Sequence, residues 1–307
     1  MAAYRAEEMI GATIESVLAQ TLADFELIIV DDGSPDGTGE VIESYARNEQ
    51  RITLIRQENA GAPAARNVAI KRSRAPIVSF VDNDDLWLPG YLEAVAEAFA
   101  ADPAVGLVHA DAWSFRGPPP NRVYHLSTLQ DFGRRIADGP PERVLPKLIA
   151  TNFISASSVS ALREAVLAVG GFSAVSSGSE DWDLWLRIVE AGHSLARAGE
   201  GPLVLLRDHP HSITKDPTLV ARARLEVARR ARGRAEAAGS EWSGAAAQLE
   251  SRARRELGRV ERPSALWRAR NATRRRLSPI KHSATDGFLW TTPPAEVESA
   301  IPGFERL

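Results

Sequence analysis

The chain has 307 residues, of which 44% are hydrophobic and 25% charged, an ordinary globular composition that can build a large core. No apolar run approaches the ~18 residues of a membrane-spanning helix, which excludes an integral membrane protein. The chain has no cysteine, which excludes disulfide scaffolds, thiolate metal sites and cysteine nucleophiles. Its first residues lack the basic start and apolar stretch of a signal peptide, so we predict a cytoplasmic protein.

The charge is distributed unevenly along the chain. Residues 1–216 carry 19 Lys and Arg against 30 Asp and Glu, a net charge of −11. Residues 217–307 carry 18 against 10, a net charge of +8. We therefore predict one acidic domain over residues 1–216 and a basic, mainly helical extension over residues 217–307.

The front part alternates helical and strand-like patterns. Its predicted helices cover residues 10–22, 38–47, 63–72 and 88–101. Its predicted strands cover residues 25–30, 52–55, 76–81 and 105–110. Apolar strands separated by amphipathic helices predict an α/β fold whose mostly parallel sheet has helices on both faces. In such sheets ligands bind beyond the carboxyl ends of the strands.

Carboxylates cluster at those strand ends. Asp31 and Asp32 follow one predicted strand, and Asp82 and Asp84 flank Asn83 after another. Mg²⁺ and Mn²⁺ bind one or two carboxylates together with substrate phosphates, so the pattern predicts a divalent cation and a phosphorylated ligand. Asp and Asn are also common turn residues, and a purely structural turn remains the alternative.

The second half contains a Pro- and Gly-rich segment and further helices. Residues 116–146 read as a long loop with one helix, either an acceptor-side lid or a surface insertion. Further helices are predicted over residues 181–191, 218–238 and 243–260.

Four segments in order resemble motifs of the family 2 glycosyltransferases, inverting enzymes with the GT-A fold. They are residues 25–34 (Phe-Glu-Leu-Ile-Ile-Val-Asp-Asp-Gly-Ser), 59–67 (Asn-Ala-Gly-Ala-Pro-Ala-Ala-Arg-Asn), 80–87 (Phe-Val-Asp-Asn-Asp-Asp-Leu-Trp), and 170–172 (Gly-Gly-Phe) with 180–187 (Glu-Asp-Trp-Asp-Leu-Trp-Leu-Arg). The resemblance covers about residues 4–215, and four motifs in order are far more specific than any one of them.

The resemblance implies a role for each matching position. The implied nucleotide-binding residues are Tyr4, Asp31, Asp32, Arg66, Asp82 and Asn83. Asp84 would bind a divalent cation, Mn²⁺ or Mg²⁺, and His209 would be a further metal or diphosphate contact. Asp181 would be the general base, with Glu180 and Trp182 on the acceptor side.

Asp181 lies at the start of a predicted helix. The helix dipole there would favour its ionised form, which a base needs at neutral pH. Simple helix capping is the alternative for Glu180 and Asp181.

The implied reaction is inverting transfer of one sugar from a nucleoside-diphosphate sugar, UDP- or dTDP-linked, to a hydroxyl of a glycan or lipid-linked acceptor. Such a role belongs to cell-surface polysaccharide biosynthesis. The chain lacks the Gln-x-x-Arg-Trp segment of processive synthases, which favours single-sugar transfer. The alternatives are a degenerate nucleotide-binding or membrane-associated scaffold, and a sugar nucleotidyltransferase, whose Gly-rich loop is not visible.

Both ends of the chain carry a further expectation. Relatives begin with an apolar strand that ends in a Pro-x-Tyr/Phe-Asn turn, whereas this chain starts Met-Ala-Ala-Tyr-Arg, so we expect that strand to be missing. The Arg-rich extension fits a solvated helical face, an anionic membrane surface at the inner face of the membrane, or docking on the acidic domain. Nucleic-acid binding ranks last, because aromatic interleaving and known motifs are absent.

Overall fold

The computed structural model describes residues 1–116, 123–127, 138–173, 178–210 and 212–262. Its first sheet has three parallel strands in the order β1–β2–β3, of which the sequence predicted the second and third. The strands are β1 (Ala2–Ala3), β2 (Leu27–Asp31) and β3 (Ile52–Arg56). The helices between and after them are α1 (Ile10–Leu18), α2 (Thr38–Ala46) and α3 (Ala62–Arg72).

A second sheet follows in the order β4–β8–β6–β9–β5, with β7 beside β6. Its strands are β4 (Ile77–Ser79), β5 (Leu86–Trp87), β6 (Val105–Arg116), β7 (Val123–Ser127), β8 (Val159–Leu162) and β9 (Ser194–Arg207). The helices of this part are α4 (Tyr91–Ala101), α5 (Pro141–Ala150), α6 (Arg163–Ala168) and α7 (Glu180–Glu190). Among the described residues, β6 and β9 are the one parallel pair of this sheet, so it is mixed where the sequence suggested parallel strands.

The first strand of the family pattern is partly present, which corrects the expectation that it is missing. β1 pairs with the last part of β2, with Ala2 opposite Val30 and Ala3 opposite Asp31. All five residues of β2 are buried, which explains why its sequence is apolar without alternation.

An aromatic cluster fixes α7 against the sheets. The ring centroids of Phe80 and Phe172 lie 5.3 Å apart, edge to face, and those of Phe80 and Trp185 lie 5.5 Å apart. Trp185 is completely buried. Edge-to-face aromatic pairs add directional preference to apolar burial, so this cluster fixes the start of α7 relative to the end of β4.

Two helices extend the domain at its C-terminal side: α8 (Pro217–Ala237) and α9 (Ser243–Glu261). The Asp216 carboxylate caps α8 by accepting the backbone N–H groups of Thr218 and Leu219. Leu225 and Leu249 belong to the same hydrophobic core as Trp185. The division of the chain at residue 216 stays a prediction, and the structure adds that both helices share the core of the first domain.

Many arginines of α8 and α9 are engaged by glutamates of the same two helices. These pairs are Arg222–Glu261, Arg224–Glu256, Arg230–Glu226, Arg232–Glu236, Arg232–Glu250 and Arg254–Glu250. Exposed ion pairs stabilise little, and the net charge of +8 is unchanged by them because it already counts these glutamates. Attachment to a membrane surface stays a prediction.

Within the described ranges, no helix combines the length and hydropathy needed to cross a bilayer. The lid predicted over residues 116–146 falls largely on residues 117–122 and 128–137, which lie outside the described part of the chain, as do residues 263–307 of the Arg-rich extension.

Candidate active site

Tyr4 and Asp31 lie beside the turn that follows β2. Asp31 is buried, and its Oδ1 accepts the backbone N–H of Ser34 at 3.0 Å. The hydroxyl oxygen of Ser34 accepts the backbone N–H of Arg5 at 3.3 Å. Tyr4 directly follows β1 and is 41% exposed. The structure therefore brings two of the predicted nucleotide-binding residues to the carboxyl end of the first sheet.

Asp32 holds the loop that leads into α3. Its Oδ1 accepts the backbone N–H of Ala60 at 2.9 Å and the Gln57 side-chain amide at 2.6 Å. Its Oδ2 accepts the backbone N–H of Gly61 at 2.8 Å. A carboxylate offers about four acceptor positions, so three of them already serve the protein. This geometry favours a structural role for Asp32 beside the site.

Arg66 bridges two motifs that lie about a hundred residues apart in the chain. Its Nη1 donates to Glu180 Oε1 at 2.8 Å, and its Nη2 donates to Asp82 Oδ1 at 2.7 Å. The guanidinium carbon lies 5.2 Å from the ring centroid of Phe172. Arg66 is buried, and each of its two terminal guanidinium nitrogens donates to a carboxylate. It therefore connects the acidic turn after β4 to the start of α7.

Asn67 connects the same helix to the Gly-Gly-Phe segment, a contact that sequence reasoning missed. Its amide donates to the backbone oxygen of Phe172 and accepts the backbone N–H of Phe172, both at 2.8 Å. Gly171 has φ +72°, and a Cβ at this position would lie 2.5 Å from Asn67 Oδ1. The Ala-Arg-Asn and Gly-Gly-Phe segments both belong to recognised motifs. Their presence in one sequence is the only available signal of this contact, and the fold is needed to show that they meet.

Gly171→Ala is expected to destabilise the fold more than Gly170→Ala. Both residues have positive φ, but a Cβ on Gly170 meets nothing within 4 Å. The backbone strain of roughly 1–2 kcal/mol is therefore common to both variants, while Gly171→Ala also disturbs the Asn67 amide pair, a further loss of about 1–3 kcal/mol. Urea unfolding of both variants measures the difference, and equal losses would contradict the assigned close contact.

The acidic turn after β4 is held by Ser157, another residue that sequence reasoning missed. The hydroxyl of Ser157 accepts the backbone N–H of Asp82 at 3.0 Å and donates to Asp85 Oδ2 at 2.5 Å. Asp85 Oδ1 accepts the backbone N–H of Arg207 at 2.8 Å. Burial and the neighbouring charges of Asp84 and Asp82 raise the pKa of Asp85 well above its usual value. Asp85 therefore holds the turn together from its buried side. The sequence analysis did not recognise this role, because it assigned the motif's function to Asp82 and Asp84.

Asp84 and His209 face each other at this edge of the second sheet. Asp84 Oδ2 lies 2.8 Å from His209 Nε2, and the Asp84 backbone oxygen accepts the side-chain Nε–H of Arg207 at 2.9 Å. The two predicted metal contacts are thus brought together across 125 residues of sequence. Asn83 lies in the turn beside them and is half-buried. Within the described ranges, no three His, Asp or Glu side chains form a metal-binding group.

Asp181 stands at the first turn of α7, with a raised pKa. Its Oδ1 accepts the backbone N–H of Trp182 at 2.7 Å, and its Oδ2 accepts the side-chain amide of Asn152 at 3.2 Å. Burial, followed by the negative charge of Glu180, raises the pKa of Asp181 to about 7. We expected the helix dipole to favour the ionised form, but burial outweighs it. Sequence reasoning missed Asn152, because this residue lies in none of the recognised motifs.

Glu180 and Trp182 make contacts within the protein, and their acceptor-side role stays a prediction. The Glu180 Oε2 atom accepts the backbone N–H groups of Gly178 at 2.7 Å and Ser179 at 3.1 Å, so this carboxylate holds the backbone that leads into α7. Trp182 is 3% exposed, and its indole N–H donates to the backbone oxygen of Leu148 at 2.8 Å. Both side chains support the position of Asp181 from within the core.

The sequence profile of glycosyl transferase family 2 matches residues 1–156, just over half of the chain. The chain belongs to glycosyl transferase family 2. The uncharacterized glycosyltransferase EpsJ of Bacillus subtilis (strain 168) is 48% identical over 82 residues, 27% of this chain and 24% of EpsJ. The Escherichia coli enzyme WfgD, UDP-Glc:alpha-D-GlcNAc-diphosphoundecaprenol beta-1,3-glucosyltransferase, is 42% identical over 94 residues, 30% of this chain and 36% of WfgD. The matched segments thus span about a quarter to a third of the length of these two proteins.

Two solved structures show the same fold. Residues 1–349 of Staphylococcus aureus TarS, in complex with UDP-GlcNAc, superpose with a TM-score of 0.63 at 16% identity, covering 86% of this chain and 75% of that one. The mannosyltransferase PcManGT from Pyrobaculum calidifontis, in complex with GDP-Man and Mn²⁺, gives a TM-score of 0.59 at 20% identity, covering 91% of this chain and 79% of that one. The predicted GT-A fold is confirmed.

Proposed function

We propose that this family member is an inverting glycosyltransferase that moves one sugar from a UDP- or dTDP-linked donor to a hydroxyl of a glycan or lipid-linked acceptor. The observation that carries the proposal is the placement of Asp181. Its carboxyl group has a pKa near 7, and the Arg66 bridge connects its helix to the acidic turn of Asp82 and Asp84. A candidate base and a candidate diphosphate site thus share one edge of the fold.

The related proteins support the choice of donor and acceptor class. The name of WfgD specifies a UDP-glucose donor and a diphosphoundecaprenol-linked acceptor, and the TarS structure contains UDP-GlcNAc. PcManGT was solved with GDP-Man, so GDP sugars belong in any donor screen. A lipid-linked acceptor would place the reaction at a membrane face and the product in a cell-surface polysaccharide.

The chemistry is a single displacement at the anomeric carbon. The ionised carboxylate of Asp181 takes the proton of the acceptor hydroxyl, whose oxygen forms the new bond to the anomeric carbon. The bond from that carbon to the diphosphate oxygen breaks, and its electron pair leaves with the nucleoside diphosphate. The attack comes from the opposite face, so the configuration inverts. Asn152 and the Trp182 backbone N–H hold the base in one orientation.

The acidic turn fits a divalent cation. Asp84 offers a carboxylate oxygen and His209 an imidazole nitrogen, and these two atoms lie 2.8 Å apart. Mg²⁺ and Mn²⁺ sites commonly use few protein ligands and complete their coordination with phosphate oxygens and water. A bound cation would neutralise the charge of the leaving diphosphate. The Mn²⁺ in the PcManGT structure supports this assignment.

For the nucleotide, we propose contacts by Tyr4, Asp31, Asp82 and Asn83. Tyr4 and Asp82 present partly exposed side chains, and Asp31 is the last residue of β2, opposite Ala3 of β1. Asp32 and Arg66 act differently, because their polar atoms hold the 57–61 loop and the α7 terminus. We therefore propose that they shape the nucleotide site without being its main contacts.

The proposal predicts a pH dependence of turnover. Only the ionised form of Asp181 accepts a proton, and its pKa is raised to about 7. The rate should therefore fall as pH decreases through 7 and be about tenfold lower at pH 6 than at pH 8. The test follows nucleoside diphosphate release from UDP, dTDP and GDP sugars in the presence of lipid-linked acceptors. A rate that is flat between pH 6 and 8, with chemistry limiting, would contradict the assignment of the base.

A further inference from the structure

The arginines of α8 and α9 fall into two groups. Each arginine of α8 forms an ion pair with a carboxylate, at nitrogen–oxygen distances between 2.6 and 3.7 Å. In α9, Arg254 pairs with Glu250 at 2.6 Å. Among the described residues of the extension, four arginines are exposed and form no ion pair, and we call them the arginine row: Arg252, Arg255, Arg259 and Arg262. The structure thus separates arginines that are engaged within the protein from arginines that are available to a partner.

The arginine row occupies one face of α9. Its members follow one another at intervals of three, four and three residues, which is the spacing of a single helical face. Arg262 directly follows the helix, and the row is about 15 Å long at a rise of 1.5 Å per residue. The opposite face of α9 packs Leu249 and Ala253 into the core. Gln248 and Ser251 lie on the same stripe as the row, so this face carries no carboxylate.

The row ends close to the candidate active site. The ion pair of Arg222 and Glu261, at 2.8 Å, places the end of α9 beside the second turn of α8. The short 3₁₀ turn Ile213–Lys215 leads into α8. A Cβ on Gly178 would lie 3.2 Å from Ile213 Cγ2, so this turn packs against the backbone that enters α7. The row therefore points to the end of the molecule where the helix of Asp181 begins.

We propose that the arginine row binds the anionic phospholipid surface of a membrane. The guanidinium group donates paired N–H bonds to phosphate oxygens, and a row of them on one exposed helix face complements a layer of phosphate headgroups. The whole chain has a net charge of −3, so the attraction comes from this local row. The choice of occupant rests on the proposed function, in which a lipid-linked acceptor is presented at such a surface.

A nucleic acid fits the row less well than a lipid surface. Proteins that bind single strands combine basic grooves with aromatic side chains on which bases stack. The stripe from Gln248 to Arg262 has no aromatic residue. It also lies on the outward side of a helix rather than in a groove. Nucleic-acid binding is therefore an outcome that the experiment must separate from vesicle binding.

The test measures sedimentation of the full chain with vesicles of phosphatidylcholine that contain about 30% phosphatidylglycerol, at about 0.05 M salt. The wild type should bind these vesicles and should not bind phosphatidylcholine alone. Replacing all four row arginines by glutamine should weaken binding at least about a hundredfold, because each basic residue near an anionic surface contributes about fivefold. Glutamine is also a good helix former, so Tm should stay within about 2 °C of the wild type.

Two further variants serve as controls. Lysine at the four row positions keeps the positive charge, so it should retain vesicle binding within about threefold. A second variant removes the same charge from exposed sites of the first domain and should also bind within about threefold, since distant charges are screened. Its substitutions are Arg47→Gln, Lys71→Gln, Arg72→Gln and Arg74→Gln.

Three results would overturn the proposal. They are equal vesicle binding by the wild type and the glutamine variant of the row, an equal loss in the first-domain variant, and tighter binding of the wild type to a 20-nucleotide RNA than to the anionic vesicles. The vesicle assay contains no nucleotide sugar and no acceptor. Calorimetric nucleotide binding by the same preparations tests the proposed function separately, so a failure of either claim is recognised by itself.

Discussion

Asp181→Asn is expected to lower turnover by about 10²–10⁴-fold while leaving nucleotide affinity within about twofold, because a general base contributes on this scale to the chemical step alone. Asparagine has nearly the same shape as aspartate, so the packing of α7 is kept. Steady-state assays give turnover, and calorimetric titration of the same preparation gives nucleotide affinity. Unchanged turnover would remove Asp181 from the mechanism.

The same variant is expected to be more stable than the wild type at alkaline pH. The folded state raises the pKa of Asp181 from 3.8 to about 7, so folding favours its protonated form. That stability is fully present below pH 4 and is lost as pH rises to 7. At pH 8 the asparagine variant should therefore gain roughly 1–3 kcal/mol, discounted for partial exposure. The gain should disappear near pH 4.

Glu97→Gln is the matched control for charge removal. Glu97 lies on the exposed side of α4, so neither turnover nor the free energy of unfolding should change measurably. Urea unfolding at pH 4 and pH 8 compares the two variants. If Asp181→Asn is less stable than the wild type at pH 8, the claim that burial disfavours the ionised form of Asp181 is contradicted.

Arg66→Ala is expected to cause a loss of about 3–5 kcal/mol in the free energy of unfolding, because it leaves a buried carboxylate without its counter-charge. Glu180 is buried and keeps only its two backbone partners in this variant. Asp82 is more exposed than Glu180, so solvent can hydrate its carboxylate when Arg66 is removed. Most of the loss should therefore arise from Glu180, and urea unfolding measures it.

Two further variants give the Arg66 prediction its controls. Arg66→Met combined with Glu180→Gln removes both charges and should recover most of the lost stability. Arg47→Ala breaks the exposed pair of Arg47 and Glu43, in which the arginine side chain is 71% exposed, and should change stability by no more than about 1 kcal/mol. An Arg66→Ala variant as stable as Arg47→Ala would show that the bridge does not support the site.

Local periodicity in the sequence accounts for most helices and for β2 and β3 of the first sheet. The predicted helices at 38–47, 63–72 and 218–238 match α2, α3 and α8 to within one residue at each end. Short strands were missed, because β5 has only two residues and β8 only four. Their pairing is antiparallel and non-local, so nothing in their own sequence reveals it.

The site was predictable at the level of motifs but less so at the level of single side chains. The approach of Asp84 to His209 and of Arg66 to Glu180 joins segments more than a hundred residues apart, which only the tertiary fold brings together. Ser157 and Asn152 belong to no recognised motif, yet they hold the acidic turn and the candidate base. The raised pKa of Asp181 results from burial, a property of the whole fold.

The most direct test of a cation-assisted nucleotide-sugar site is calorimetric titration of the full chain with UDP, dTDP and GDP, with and without Mn²⁺. We expect UDP or dTDP to bind in the presence of Mn²⁺, with affinity at least about tenfold lower without the metal. The Asp84→Asn variant should show the same loss while Mn²⁺ is present. A folded protein that binds none of the three nucleotides, or binds one equally well without Mn²⁺ and in Asp84→Asn, would contradict this account.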